Sequence, residues 1–158
     1  MQFRPTYRIK SVLDLKTDFL KEENIKTLIF DADSTLIQSK SYSIENKMLD
    51  KLKEIEDSGI EIFIASNGKV DRINKVFKEH PVKAYPMCLK PLPFKMNKLL
   101  KKYNKKTTAL IGDQLFTDIL CANFVGIRSF MTMPYGVDIG LFMKLKRKLE
   151  KIILGGDN

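Results

Sequence analysis

The chain has 158 residues, of which 44% are hydrophobic and 30% charged, and its formal net charge at pH 7 is +9. This length suffices for one domain with a buried core, and no apolar run is long enough to span a membrane. Two cysteines are too few for a disulfide framework, and the N-terminus lacks the apolar segment of a signal peptide. We therefore expect a single domain over residues 1–158 in a reducing, cytoplasmic setting.

The predicted elements alternate between helices and strands after an irregular basic lead-in, with residues 1–24 combining that lead-in and one helix. Apolar spacing predicts helices at residues 11–23, 44–58, 70–79, 94–103, 115–125 and 141–154. Apolar runs predict strands at residues 25–30, 60–65, 82–85, 107–111 and 127–131. Such alternation is typical of βαβ units, so we predict an α/β fold, a three-layer doubly wound parallel sheet.

Polar side chains follow four of the predicted strands. Asp31 and Asp33 follow the first, Ser66 follows the second, Lys90 lies in a proline-rich loop after the third, and Asp113 follows the fourth. In a doubly wound sheet, ligands bind outside the carboxyl ends of the strands. We therefore expect these side chains to share one site.

This set of side chains suits phosphoryl transfer. Asp31 could attack phosphorus as a nucleophile, while Asp33 could protonate the leaving oxygen and then activate water. Asp31 and Asp113 could hold Mg²⁺, a cation that prefers oxygen ligands and would relieve the repulsion between nearby carboxylates. Lys90 and the Ser66 hydroxyl could neutralise and bind the oxygens of the transferred group.

The pattern resembles the four motifs of the haloacid dehalogenase (HAD) superfamily of phosphatases. The matching positions are Asp31, Asp33, Thr35, Ser66, Lys90, Gly112, Asp113 and Asp118. The segments at residues 90–91 and 112–120 are also similar to the YqeG-like branch of subfamily IIIA, which includes fungal and plant phosphatidylglycerophosphate phosphatases. Ser34 stands where that branch usually has asparagine, and its role does not follow from the sequence.

The resemblance implies a Mg²⁺-dependent phosphomonoester hydrolase with an aspartyl-phosphate on Asp31 and with Asp33 as general acid and base. The metal set would be Asp31, the backbone carbonyl of Asp33, Asp113, and Asp118, which acts through water or orients the region of Lys90. The implied substrate is phosphatidylglycerophosphate, which would be converted to phosphatidylglycerol.

Three residues are expected near the substrate phosphate: Ser66, Asn67, which would bond substrate through its backbone, and Thr35. Thr35 would also steady the loop that carries Asp31. The segment Ser66-Asn67-Gly68 is equally typical of a turn that caps a helix, and one geometry can serve both purposes.

HAD enzymes often carry a cap domain, inserted after the first motif or between the second and third. The intervals from Asp33 to Ser66 and from Ser66 to Lys90 are too short to hold one beside the predicted helices and strands. We therefore predict a capless HAD Rossmann-like fold with an open site, which suits a large or membrane-held substrate.

The helix at residues 141–154 is basic on one side and apolar on another. Such a helix either lies on an anionic membrane, here the inner face, or packs on its own domain, and the basic N-terminus leaves the same choice. Lysines are spread along the whole chain, so the net charge is equally expected of an ordinary solvated surface. The oligomeric state does not follow from the sequence.

Other functions remain open. The phosphatase could act on nucleic-acid ends, a phosphoprotein or a small phosphorylated metabolite, although no nucleic-acid partner is expected. A response-regulator receiver uses similar groups but places its acceptor aspartate after the third strand, where this chain has Lys90. An inactive membrane-associated scaffold is disfavoured because Asp31, Asp33, Lys90 and Asp113 are all present.

Overall fold

The structure, a computed structural model, describes residues 3–39, 41–68, 70–80, 82–85, 88–136 and 141–155. These residues form a six-stranded, entirely parallel sheet in the order β1-β6-β5-β2-β3-β4. The strands are β1 (Tyr7–Ile9), β2 (Thr27–Phe30), β3 (Glu61–Ala65), β4 (Lys83–Tyr85), β5 (Thr108–Gly112) and β6 (Arg128–Thr132). The helices are α1 (Thr17–Glu22), α2 (Asn46–Asp57), α3 (Val70–Val76), α4 (Pro93–Leu100), α5 (Leu120–Val125) and α6 (Leu141–Ile153). The predicted doubly wound α/β fold is confirmed.

The central strands β2 and β5 are buried along their whole length. Both faces of the sheet are covered by helices, which is why these strands are nearly continuous apolar runs rather than alternating ones. In the register of the sheet, Phe30 of β2 is level with Ile64 of β3 and Ile111 of β5. The residues after these three strands therefore leave the sheet at the same edge.

The core has two parts, one on each face of the sheet. Successive residues of a strand point to opposite faces, so Phe30 joins the cluster that contains apolar residues of α1, α2 and α3, and Ile29 joins the cluster that contains those of α4 and α5. This division fixes the orientation of each strand and hence of the side chains that follow it.

The predicted irregular lead-in was wrong at residues Tyr7–Ile9, which form the edge strand β1 and pair with β6. Tyr7 stacks on Phe130 of β6, with ring centroids 4.6 Å apart. A three-residue edge strand is too short to leave a recognisable alternation in a basic segment, so its pairing depends on contacts with a distant strand.

The helix predicted at residues 11–23 is two pieces: a 3₁₀ turn at Val12–Asp14 and α1. The Ser11 hydroxyl accepts a hydrogen bond from Leu13 N at 3.2 Å and so caps the first piece. Leu15 then adopts an extended conformation and is buried between the two. Both pieces bury apolar residues on the same core, which made them resemble one helix in sequence.

No cap domain is found in the described parts of the two intervals where one would be inserted. From Asp33 to Ser66 these parts contain α2 and β3, and from Ser66 to Lys90 they contain α3 and β4. The capless prediction is thus confirmed. Among the described residues, no helix has the length and apolar character that crossing a bilayer requires.

Candidate active site

Three buried carboxylates meet at the carboxyl edge of the sheet. Asp31 follows β2, Asp113 follows β5, and Asp118 lies in the turn after Asp113. One oxygen from each lies within 4.8 Å of the other two. Carboxylate oxygens in this arrangement are the ligands that a hard divalent cation such as Mg²⁺ prefers.

Lys90 is inserted among these carboxylates. Its Nζ lies 2.5 Å from Asp31 Oδ1 and 2.7 Å from Asp118 Oδ1, and its side chain is only 1% exposed. Burial lowers the pKa of Lys90, but the carboxylates of Asp118 and Asp31 outweigh burial, so that the pKa is raised and the ammonium keeps its charge. Lys90 thereby offsets part of the negative charge of the cluster.

Burial, together with the remaining negative charge, raises the pKa of two of the carboxyl groups. Burial is the largest cause for Asp31, and the Asp118 and Asp113 carboxylates add to it against the opposing effect of Lys90, which gives a pKa of about 8. Burial and Asp118 likewise raise the pKa of Asp113 to about 6, although the Arg147 guanidinium opposes them. A divalent cation placed among these groups would favour their ionised forms.

Gly112 makes the close approach of Asp118 possible. A Cβ atom at residue 112 would lie 2.4 Å from Asp118 Cβ and 2.4 Å from its Cγ, well inside van der Waals contact. Asp118 belongs to a π-helical turn, Leu115–Ile119, in which Asp118 N and Ile119 N both donate to Gln114 O. The turn differs from the α-helix predicted at residues 115–125, and π-turns of this kind are frequent at functional sites.

Replacing Gly112 with alanine should therefore displace Asp118 and lower any catalytic activity that depends on the carboxylate cluster, with a loss of about 1–3 kcal/mol of stability from overpacking. Gly126→Ala is the matched control, since Gly126 has φ +75° and open space around its Cα. The control should cost about 1 kcal/mol through backbone strain and leave activity unchanged. Equal activity of the two variants, measured beside their thermal melts, would contradict the proposed importance of this contact.

Asn67 holds the backbone of Lys90. Its Oδ1 accepts a hydrogen bond from Lys90 N at 2.9 Å, and its Nδ2 donates to Lys90 O at 3.0 Å. This pair of bonds fixes the loop that delivers the ammonium group to the carboxylates. The sequence suggested that Asn67 contacts substrate through its backbone, and it did not reveal this side-chain function.

Ser66 and Thr35 lie beside the cluster. The buried Ser66 hydroxyl accepts a hydrogen bond from Gly68 N at 2.9 Å, as a turn-forming serine does, and its position after β3 places it at the same edge. Thr35 Oγ1 donates to Asp113 Oδ1 over a long 3.4 Å. Thr35 thus connects the loop that carries Asp31 with the loop that carries Asp113.

Asp33 is more exposed than the three clustered carboxylates, with 33% of its side chain accessible. Its carboxylate is not a member of the cluster and forms an ion pair with Arg72 of α3. Arg72 also donates to Ser41 O at 3.0 Å, so it connects α3 to the loop before α2. The exposure of Asp33 suits a group that exchanges protons with substrate and water.

Ser34 adopts a left-handed conformation with φ +59°. Its backbone N donates to Ile37 O at 2.7 Å, and its carbonyl accepts from Tyr135 N at 2.6 Å. Asparagine enters the left-handed region more readily than serine, which gives a physical reason for the asparagine that the resemblance to the YqeG-like branch implies at this position.

The C-terminal helix α6 extends into the site, which the sequence did not predict. Arg147 forms an ion pair with the Asp113 carboxylate, and its Nη1 donates to Asp113 O at 2.5 Å. The buried Glu150 accepts a hydrogen bond from Leu115 N at 2.9 Å and lies 3.1 Å from Arg147 Nη1. The expectation of an open site is therefore wrong on the side of Asp113, where the side chain is 0% exposed.

Three residues at or beside the site were missed by sequence reasoning: Arg72, Arg147 and Glu150. The two arginines carry no signal because the chain has 28 lysines and arginines. Glu150 did carry one, since it is the sole acidic residue between positions 141 and 154. An isolated acid on a basic helix indicates a specific partner.

The family comparison gives a match over most of the chain. A family model described as mitochondrial PGP phosphatase matches residues 1–136. The probable phosphatase YqeG of Bacillus subtilis (strain 168) is 26% identical over 154 residues, which cover 96% of this chain and 90% of that protein.

Solved structures share the fold. The cobalt-bound deoxy-D-mannose-octulosonate 8-phosphate phosphatase of Haemophilus influenzae has a TM-score of 0.58 at 18% identity, covering 85% of this chain and 90% of that one. The 3-deoxy-D-manno-octulosonate 8-phosphate phosphatase of Moraxella catarrhalis, solved with magnesium, phosphate and KDO, has a TM-score of 0.54 at 16% identity, covering 91% and 94%. At these identities the likeness concerns the fold.

Proposed function

The chain belongs to the mitochondrial PGP phosphatase family and is a HAD-type phosphatase, and from that premise we propose that it hydrolyses phosphomonoesters with Mg²⁺ through an aspartyl-phosphate on Asp31. The observation that carries the proposal is the contact of Lys90 with both Asp31 and Asp118, in a cluster that Asp113 completes. Side chains from three separate segments, those after β2, β4 and β5, thus bring together the acidic and ammonium groups that one cation and one phosphoryl group would require.

The carboxylates fit a divalent cation. The residues that would hold it are Asp31, Asp113 and the backbone carbonyl of Asp33, while Asp118, whose Oδ1 contacts Lys90, would act through water or by orienting Lys90. When bound, the cation would neutralise charge on the phosphoryl oxygens and on the carboxylates themselves. The magnesium in the Moraxella phosphatase, which shares this fold, agrees with that choice of metal.

The residues of the chain divide the chemistry into two displacements. In the first, a carboxylate oxygen of Asp31 forms a bond to phosphorus, the bond to the leaving oxygen breaks, and Asp33 donates a proton to that oxygen. In the second, Asp33 takes a proton from a water molecule whose oxygen attacks phosphorus, which releases inorganic phosphate and frees Asp31. Lys90 holds Asp31 Oδ1 throughout and thereby orients the carboxylate.

Magnesium is expected to stabilise the protein, and more so as the pH rises. The folded pKa values of Asp31 and Asp113, about 8 and about 6, lie above the ordinary aspartate value of 3.8. Between about pH 4 and about pH 8, the metal-free folded state therefore binds more protons than the unfolded state. The contribution of Asp31 and Asp113 to the free energy of unfolding falls as the pH rises through this range. Since the cation binds the ionised groups, its stabilising effect grows over the same range.

The measurement is the difference between the melting temperatures with and without Mg²⁺, at a concentration on the order of 10 mM, determined at pH 5.5 and at pH 8. We expect a larger difference at pH 8, and Asp113→Asn should reduce it at both values. A difference that is absent, or that is larger at pH 5.5, would contradict a metal site built from these carboxylates.

We propose phosphatidylglycerophosphate, presented at a membrane surface, as the substrate. The description of the matching family supports the choice of headgroup. The outer face of α6 supports the proposal that the substrate is reached at a membrane surface. Leu145, Leu149 and Ile152 recur at helical spacing and are 58%, 49% and 68% exposed, beside the exposed Lys144 and Lys148. An apolar stripe flanked by lysines is suited to the interface of an anionic bilayer.

The experiment is a panel of substrates assayed for phosphate release with Mg²⁺: phosphatidylglycerophosphate in anionic vesicles, nucleotides, 5′-phosphorylated oligonucleotides, a phosphopeptide and sugar phosphates. We expect the highest kcat/KM for the lipid, and a loss of that preference when Leu149 and Ile152 are both replaced by glutamine. A higher kcat/KM for any soluble substrate would overturn the lipid assignment while leaving the phosphatase assignment intact.

A further inference from the structure

The helix α6 lies beyond the part of the chain that the family match covers, which ends at residue 136. Its outer face carries the exposed apolar stripe, whereas Arg147 and Glu150 on its inner face contact the loop after β5. Among the α6 side chains that the structure describes, Glu150 is buried whereas Leu145, Leu149 and Ile152 are exposed, so polar contacts contribute to how the helix is placed.

Arg147 contacts Asp113 at two points. One guanidinium nitrogen pairs with Asp113 Oδ2, and another donates to the carbonyl oxygen of the same residue at 2.5 Å. The second carboxylate oxygen, Oδ1, is the one that Thr35 Oγ1 approaches at 3.4 Å. Two contacts on one residue, at Oδ2 and at the backbone carbonyl, restrict the χ1 and χ2 rotation of Asp113.

Glu150 fixes the arginine in turn. Its Oε2 lies 3.1 Å from Arg147 Nη1, and its Oε1 accepts hydrogen bonds from Leu115 N at 2.9 Å and Phe116 N at 3.5 Å. Glu150 is only 2% exposed, and a carboxylate buried to this extent would destabilise the fold if it lacked these partners. The backbone of the turn that carries Asp118 is thus tied to the same helix that holds Asp113.

We propose that Arg147 is a positioning residue for Asp113 and that Glu150 fixes it there, so that the C-terminal helix completes the metal site. The inference rests on the proposed function, because it assigns Asp113 as a metal ligand. Groups that hydrogen-bond to a metal ligand restrict its orientation, and their loss typically costs 10- to 100-fold in metal affinity or activity. The helix thereby connects the outward apolar stripe to the metal site.

The test is calorimetric titration of Mg²⁺ into metal-depleted wild-type protein and into Arg147→Ala, with circular dichroism to verify folding. We expect the Kd for Mg²⁺ to rise on the order of 10-fold in Arg147→Ala. Arg147→Lys, which keeps the charge but cannot bond at two points in the same way, should restore part of the affinity. Glu150→Gln should weaken binding in the same direction by a smaller factor.

The matched control is Arg128→Ala at the opposite edge of the sheet. Arg128 also binds a backbone carbonyl and approaches a carboxylate, in this case those of Glu23. Its loss should lower the melting temperature without changing the Kd for Mg²⁺. If Arg147→Ala fails to fold, Arg147→Lys and Glu150→Gln provide the test.

A Kd in the folded Arg147 variant within twofold of wild type would overturn the inference, and so would tighter binding, which would make Arg147 a competitor of the cation. Either result would leave the proposed function intact provided that the wild-type protein binds Mg²⁺ and releases phosphate. Absence of Mg²⁺ binding by the wild-type protein would overturn the metal site and the inference together.

Discussion

Asp31→Asn is expected to lower phosphatase turnover by at least about 10³-fold while leaving the protein folded. The amide has nearly the shape of the carboxylate and can still accept a hydrogen bond from Lys90, but it is a poor nucleophile toward phosphorus. Replacing this carboxyl group with a neutral amide should also leave the melting temperature of the metal-free protein unchanged or raised, because burial and the neighbouring carboxylates raise the Asp31 pKa to about 8 and so already disfavour its charged form.

The matched control for this variant is Asp50→Asn on the exposed face of α2, which should retain both turnover and stability. The measurement is kcat on the preferred substrate with saturating Mg²⁺, beside a thermal melt. Turnover by Asp31→Asn within tenfold of the wild type would show that another group attacks phosphorus.

Lys90→Met is expected to lose about 3–5 kcal/mol of stability in the absence of metal, in addition to its activity. Methionine keeps the length of the side chain and removes the charge, so Asp31 and Asp118 would remain buried without their ammonium partner. Whole domains are stable by only about 5–15 kcal/mol, so the loss is a large fraction of the total. Added Mg²⁺ should recover part of it by supplying positive charge at the same place.

Lys83→Met is the matched control for Lys90→Met. Lys83 Nζ lies 2.6 Å from Glu61 Oε1, as close as the contacts of Lys90, but 65% of its side chain is exposed. Solvent screens that pair, so its loss should hardly change the denaturation midpoint. Chemical denaturation curves with equal midpoints for the two variants would contradict the buried, charge-paired state of Lys90.

The site residues at the strand ends were predictable from sequence because two independent signals, an apolar run and a polar residue after it, coincide at these positions. The apolar run before Asp31 and the run before Asp113 identify buried parallel strands, and the polar residues after them have no structural reason to recur at that place. The topology rule for doubly wound sheets then brings the segments to one edge, as the alignment of Phe30 with Ile111 confirms.

Contacts between segments were not predictable in the same way. Nothing in the sequence connects Asn67 with the backbone of Lys90, or α6 with Asp113, because these contacts depend on how loops pack after the sheet has formed. The π-turn at Leu115–Ile119 was likewise invisible to helical periodicity, which it disturbs by one residue. The sequence identified Gly112 as part of a motif, but it did not show that the close approach of Asp118 requires a glycine there.

The central claim is that Asp31 accepts the phosphoryl group, and rapid acid quenching during turnover tests it most directly. Borohydride reduces an acyl phosphate to the alcohol, so peptide mass spectrometry of the quenched and reduced protein should find homoserine at position 31. The conversion should require both substrate and Mg²⁺ and should be absent in Asp31→Asn. Phosphate release without conversion at residue 31, or with conversion at a different residue, would contradict the account.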